Sequence, residues 1–240
     1  MSGVVEVAGS ESSFAYAARR AGVVWAGLFA LGIGFGVLVI SKGLPWWLAP
    51  LISGTLFAGS VEFLFIGLLA AGAPLASIAL VTFLVNARHL FYGLSYPLDL
   101  VKGRWAKAYA IFALCDEAFA LVGSAPRGGL TTARILWIHA GLHVSWALGG
   151  LTGGLVGGAL LSNVRGLDFI LTALFVVLTM DAWRESRDPV TLGLAVVAGV
   201  GAQVVAPGSM LLVAMSAFTA ALVGRHLLGR RALREEDGRA

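Results

Sequence analysis

Charge is what this sequence has least of. Only 12% of its residues are Asp, Glu, Lys or Arg, against roughly 25% in an ordinary soluble domain. Hydrophobic residues make up 58% of the chain and mean hydropathy is +0.88. Too few polar side chains remain to cover a water-facing surface, so the solvent this chain is built for is lipid. Cysteine is nearly absent as well. The single Cys115 excludes an intrachain disulfide and, in an apolar run, reads as a small buried side chain. A phosphate loop is missing, and Gly32-Ile-Gly34-Phe-Gly36 has its third glycine one place too early for the dinucleotide fingerprint. His139 and His143 share a helix face, but Ala140 stands where a zincin needs Glu, so hydrogen-bonded packing or a proton relay is expected of them rather than a metal site. No cofactor is implied. The net charge of +4 is gathered in short breaks between apolar runs, which makes it a topology signal and not a mark of nucleic-acid binding.

What is present is a series of long apolar stretches. A helix needs roughly 20 residues to cross a hydrocarbon core of about 30 Å. Candidate spans are 23–40, 47–71, 74–96, 106–123, 135–161, 167–183, 190–205 and 208–224. The last two are separated because 190–224 would be about 52 Å long as one helix, and Pro207-Gly208 supplies a break. Barrel strands are excluded by the length of the runs and their lack of period-2 alternation. The expected fold is therefore all-α, a polytopic transmembrane helix bundle of about eight spans with room for broken or re-entrant helices. Its organisation is a cytoplasmic N-terminal segment 1–22, a transmembrane domain 23–224 and a basic cytoplasmic tail 225–240. Arg19-Arg20 precede an apolar run without a small-residue cleavage site, so the first span is read as uncleaved.

With eight spans both termini share a side. That side carries Arg19, Arg20, Arg127, Arg134, Arg184, Arg187, Arg225, Arg230, Arg231 and Arg234. The other holds Lys42, Lys102, Arg104, Lys107 and Arg165. The excess places both termini in the cytoplasm. The Lys102–Lys107 loop opposes this and points to an early segment that is re-entrant or a pair of half-helices; seven spans would put the termini on opposite sides, against the basic C-terminal tail.

Glycine recurs with helical period. Gly32, Gly34 and Gly36 lie in the first span. Gly149, Gly150, Gly153, Gly154, Gly157 and Gly158 form two interleaved four-residue ladders in the fifth. Such ladders let helix backbones approach closely in lipid, and Gly32, Gly36, Gly150, Gly154 and Gly158 are the expected packing positions. The alternative is a helix that unwinds to line a cavity.

Ionisable groups inside apolar runs mark function or structural pairing, because each costs about 2.5–3.5 kcal/mol at a helix centre. The polar and ionisable side chains here are Glu62 in the second run, Asn86, Arg88 and His89 in the third, Asp116 with Glu117 in the fourth, His139 and His143 in the fifth, Asp168 and Asp181 near the ends of the sixth, and Gln203 near the end of the seventh. Arg88 either pairs with Glu62 or Asp116 or contacts a solute directly. Asp116 and Glu117 point about 100° apart on a helix, so one can face a cavity while the other pairs elsewhere. Asn86, Glu62, Arg88 and at least one of the two acids are expected to converge on one water-accessible cavity.

At these residues the chain resembles the AzlC family, the large subunit of two-component branched-chain amino-acid exporters. The resemblance runs from about Gly27 to Asp181. Asn86-Ala-Arg-His-Leu-Phe-Tyr-Gly93 is similar to the family's N-x-R-H-x-x-Y-G, and Asp116-Glu117 followed by Ala-Phe-Ala to its T-D-E-x-F-A. Gly32–Gly36, Phe57-Ala-Gly59, the Trp146–Gly158 run and Gly166-Leu-Asp-Phe169 support it. Glu62 stands where the family commonly has Gln, and Cys115 where it has Thr. The resemblance implies proton-driven export of apolar amino acids, with Glu62, Asn86, Arg88, His89, Asp116 and Glu117 as binding or coupling residues. It also implies a small AzlD-like membrane subunit as partner. An intramembrane enzyme and a channel subunit are the competing readings. No protease or hydrolase motif supports the first, and a single chain cannot show the polar ring that the second needs.

Overall fold

In the computed structural model the described residues are 11–161 and 187–237, with Val176, Thr179, Met180 and Trp183 between them. Every regular element among them is helical. The chain divides into two compact units, 1–70 with 87–170, and 71–86 with 171–240. The expected 167–183 span and the Gly166–Phe169 motif fall outside the described residues apart from the isolated positions named.

The first unit is organised by two long helices, α1 (Ser13–Ser41) and α8 (Thr132–Leu161). Ser12 starts α1 by accepting from the Ala15 N–H at 3.1 Å, the usual satisfaction of an orphan donor at a helix start. The helix begins ten residues before the span expected from hydropathy, and it is long and apolar enough to cross a membrane. At 1.5 Å per residue the 30 residues of α8 extend about 45 Å. The two helices run parallel and in step. The Arg134 guanidinium lies 4.3 Å from the Tyr16 ring and Phe14 packs edge-on against Trp137 at 5.2 Å. Further along, Trp25 lies on Gly141, Gly32 meets Gly149, and Gly157 meets Val37. Below, the near end is where α1 and α8 begin and the far end is where they finish.

Glycine makes this approach possible. A β-carbon at Gly32 would lie 2.7 Å from the Trp146 carbonyl oxygen, and one at Gly36 would overlap the Gly150 carbonyl and the Gly154 amide. The two ladders of α8 serve different neighbours. Gly149 and Gly153 face Phe29 and Ile33 of α1, whereas Gly150 and Gly154 face Ser53, Ala49 and Trp46, on or just before α2 (Leu48–Thr55).

Three expected spans are interrupted. The second divides into α2 and α3 (Ser60–Ala70), the third into α4 (Leu75–Asn86) and α5 (Arg88–Ser95), and the fourth into α6 (Arg104–Phe112) and α7 (Asp116–Gly123). The fourth does not run from one end of the bundle to the other, which corrects its reading as a span. Ahead of α6, the Lys102 N–H donates to Thr132 Oγ1 at 2.9 Å and that hydroxyl donates to Leu100 O at 2.9 Å. After α7, Arg20 donates to Leu121 O and to Ser124 Oγ, and Arg134 donates to Gly129 O. The segment leaves the first turn of α8 and returns to it, a re-entrant hairpin. Lys102 therefore lies at the same end as Arg134, which corrects its assignment to the opposite side from Arg127 and Arg134.

The second unit contains α4, α9 (Pro189–Val205) and α10 (Met210–Asp237), with α4 packed on α10. The chain turns at Pro207–Ser209. Asp188 caps α9, accepting from the Val190 and Thr191 amides, while Pro189 occupies the first helical position. Arg225 of α10 donates to Asp188 at 2.6 Å and to Thr191 Oγ1 at 2.8 Å, so α9 and α10 are antiparallel. The last helix continues through Asp237.

Candidate solute site at the helix breaks

A helix interruption in an apolar bundle leaves carbonyls and amides that need partners. At the first interruption the backbone reverses through two left-handed residues, Phe57 (φ 45°) and Gly59 (φ 55°). Glycine adopts that conformation freely; at Phe57 it costs about 1–2 kcal/mol. In a continuous helix the Ala58 amide would donate to Gly54 O. Instead Ala58 donates to Glu62 Oε1 at 2.7 Å, and His143 Nε2 lies 3.0 Å from Gly54 O. A side chain thus takes each half of the missing bond. Glu62 is fully buried, and its second oxygen accepts from Trp146 Nε1 at 3.0 Å. Both its oxygens are therefore used structurally, and its place in the first turn of α3 is where a helix favours negative charge.

The interruption between α6 and α7 spans Ala113–Cys115. Cys115 is extended and immediately precedes α7, whose first turn carries Asp116 and Glu117. The Ala113 carbonyl accepts from His139 Nδ1 at 2.8 Å. A carbonyl only accepts, so His139 carries its proton on Nδ1, and Nε2 accepts from Tyr96 OH at 2.5 Å. His143 has the opposite tautomer: Nε2–H donates to Gly54 O and Nδ1 accepts from Tyr109 OH at 3.3 Å. His139 is fully buried.

The α5 helix supplies the tyrosines. Tyr92 donates to Asp116 Oδ1 at 2.9 Å and stacks on Phe119 with centroids 4.5 Å apart. His89 packs edge-on against Tyr92 at 5.3 Å. Thus His89, Asp116 and Glu117 are gathered where α5 meets the start of α7, while Glu62 is held by Ala58 and Trp146. Arg88 opens α5, and Asn86 ends α4 in the second unit. Of the glycines, Gly32 and Gly36 face α8, and Gly150 and Gly154 face the α2 region; Gly158 lies one turn further along α8.

Tyr92, Tyr96, Tyr109 and Trp146 are the polar partners that sequence reasoning passed over. Only Tyr92 carried a signal, as part of the Asn86–Gly93 motif. Trp146 was noted only as the start of a glycine run.

Half-helices with ionisable residues at their broken ends are a construction that many helical membrane transporters use for their solute and ion sites. The AzlC protein family matches residues 23–160, and the chain belongs to that family. The match ends at Leu160, within α8, short of the Asp181 to which the resemblance extended. The branched-chain amino acid transport protein AzlC of Bacillus subtilis is 36% identical over 168 residues, covering 68% of this chain and 65% of that protein. An uncharacterized membrane protein of Helicobacter pylori is 35% identical over 177 residues, covering 72% and 77% of the two chains. Another from Haemophilus influenzae is 34% identical over 179 residues, covering 71% and 72%. No solved structure matches the chain. Of these relatives, the one from Bacillus subtilis carries a name that points to a transport protein rather than an enzyme.

Proposed function

We propose that the chain exports branched-chain or similar apolar amino acids across the plasma membrane, coupled to proton entry and working with a small AzlD-like membrane subunit. The observation that carries the reading is the placing of Asp116 and Glu117 in the first turn of a half-helix that starts inside the bundle, with Tyr92 and His89 beside them. A zwitterion with an apolar side chain needs an acid for its ammonium, a cation or helix start for its carboxylate, and an apolar wall for the rest. In this reading Asp116 or Glu117 is the acid, Arg88 is the cation, and Phe119, stacked on Tyr92, belongs to the apolar wall. An acid that gains and loses a proton as access alternates supplies the coupling.

The same reading keeps both termini in the cytoplasm, which, with 104–123 turning back, requires that the 47–71 segment also turn back so that an even number of crossings remains. With the 104–123 segment re-entrant, Lys102, Arg104 and Lys107 join the basic residues of the cytoplasmic side. Only Lys42 and Arg165 stay opposite among the loop cations, which removes the conflict with the positive-inside rule.

The test is counterflow of labelled leucine, isoleucine and valine in proteoliposomes, with and without a co-reconstituted AzlD-like subunit. Saturable, trans-stimulated exchange is expected. Absence of exchange with both subunits present overturns the reading, and flux that neither saturates nor trans-stimulates identifies a channel.

A further inference from the structure

We propose that α2–α3 and α6–α7 are the two arms of an inverted repeat, re-entrant hairpins entering from opposite ends of the bundle, with His143 and His139 as the positioning residues of their tips. The first observation is in the sequence. Phe57-Ala58-Gly59-Ser60-Val61-Glu62 and Phe112-Ala113-Leu114-Cys115-Asp116-Glu117 carry the same Phe, Ala and Glu in the same register, with Ser and its near-isostere Cys at the fourth place. The second is where each copy falls. In both, the first half-helix ends at or just before the Phe, the second begins at or just after the Ser or Cys, and the Glu lies in the first turn of the second.

Direction is the third observation. The α6–α7 arm starts and finishes at the near end, tied there through Lys102–Thr132 and Arg134–Gly129. The α2–α3 arm approaches from the far end. Trp46 lies against Gly154, Ser53 against Gly150, and Gly54 reaches His143, so α2 descends antiparallel to α8. Beyond the break the chain does not carry on toward His139. Phe63 packs on Phe35 at 5.4 Å and on Trp146 at 6.1 Å, back at the level of the glycine contact.

The fourth observation is the use of α8. Its two histidines, one turn apart on one face, each donate to a carbonyl left by one break, Gly54 O for the far-end arm and Ala113 O for the near-end arm. Their opposite tautomers follow from that assignment. Tyr109 of the near-end arm also donates to the histidine that holds the far-end arm, so the arms share a polar contact. A carrier must open to one side at a time. Two equivalent arms, each with a tip carbonyl latched to α8 by one histidine, supply two gates, and loosening one latch opens the path to that arm's own side. The gating part rests on the transport reading; the inverted repeat does not.

The experiment starts from a Cys115→Ser protein, the substitution that the other arm already carries as Ser60. Single cysteines are placed at Lys42, Ala70, Lys102 and Arg127 and probed with a membrane-impermeant maleimide from each face of oriented vesicles. Positions 102 and 127 should label from one face, and 42 and 70 from the other. Labelling of 102 and 127 from opposite faces, or of 42 and 70 from opposite faces, overturns the repeat. Next, Ala58→Cys and Ala113→Cys report the two tips. His143→Leu should raise labelling of position 58 several-fold from the face of 42 and leave position 113 unchanged. His139→Leu should do the converse, and His143→Gln, which keeps a donor, should restore the parent pattern at 58. Equal changes at both tips overturn the latch assignment. Correct sidedness in a protein that moves no amino acid would sink the transport reading and leave the repeat standing.

Discussion

A buried carboxylate in an apolar bundle depends on its donors. Those of Glu62 include the Ala58 amide and the Trp146 indole. Trp146→Phe keeps most of the ring packing against Phe35 and Phe63 but removes one donor, so one oxygen of a fully buried acid loses its partner. The expected cost is about 1–3 kcal/mol of stability, and Glu62→Gln in that background should recover part of it by removing the charge. Thermal unfolding in detergent measures both; a Trp146→Phe protein as stable as the parent would show that the indole is not holding Glu62. Outside the apolar segments, Asp188 gives a pH signature. Hydrogen bonds from Thr191 and Arg225 hold its carboxyl at about 2, below its ordinary 3.8. A depressed acid stabilises the fold fully above its unfolded value and loses that contribution as pH falls through the folded one. The protection of amides at the start of α9, taken relative to their intrinsic exchange rate at each pH, should therefore be flat above about pH 4 and fall between 4 and 2, whereas Asp188→Asn should be less protected at neutral pH and lose the acid step. The acids themselves were legible in the sequence because charge is so scarce there. Their partners were not, since a hydrogen bond from Trp146 to Glu62 joins positions that no periodicity connects.

Elements were legible where glycine or proline punctuates them. Pro207 and the Gly72–Pro74 join stand between helices as expected, and the glycine repeats lie where α1, α8 and the α2 region meet. The positions of the interruptions were not legible. Leu56-Phe57-Ala58 carries no glycine or proline, yet Phe57 is left-handed, because Glu62 and His143 replace the helical bond lost there. Hydropathy also cannot distinguish 104–123 as one crossing from two half-helices, since both are apolar runs of the same length. The glycine contact gives a sharp test. Gly36→Leu pushes a side chain into the backbone of Gly150–Gly154, while Gly27→Leu on the same helix has open space around it. Overpacking typically costs about 1–3 kcal/mol. Gly36→Leu and Gly154→Leu should lower the unfolding temperature and yield, and Gly27→Leu should not. Equal behaviour of Gly36→Leu and Gly27→Leu would mean that α1 and α8 are not in backbone contact, and a Gly154→Leu protein like Gly27→Leu would mean the same of α8 and the α2 region.

For the whole molecule, the two acids at the start of α7 are not equivalent, and that difference can be read in transport. Asp116 accepts from Tyr92 and is therefore tied to α5, the helix that Arg88 opens. Glu117 is the repeat counterpart of Glu62, but it stands in a half-buried position rather than a sealed one. In Asp116→Asn the amide oxygen still accepts from Tyr92, so the architecture persists while the charge is lost. In Glu117→Gln only a charge and a proton site are removed. If Glu117 is the coupling acid, Glu117→Gln should keep leucine counterflow near the parent rate yet lose acceleration of export by an inward proton gradient. Asp116→Asn should instead weaken exchange itself, raising the half-saturating leucine concentration about tenfold, the loss of one charge-assisted contact worth about 1.4 kcal/mol. Proteoliposome counterflow with and without an imposed pH difference separates the two. Retention of gradient-driven export in Glu117→Gln, with its loss in Asp116→Asn, would transfer the coupling role to Asp116. Gradient-driven export that survives in both variants would exclude this acid pair from coupling and leave Glu62, already committed to Ala58 and Trp146, as the remaining acid at a helix break.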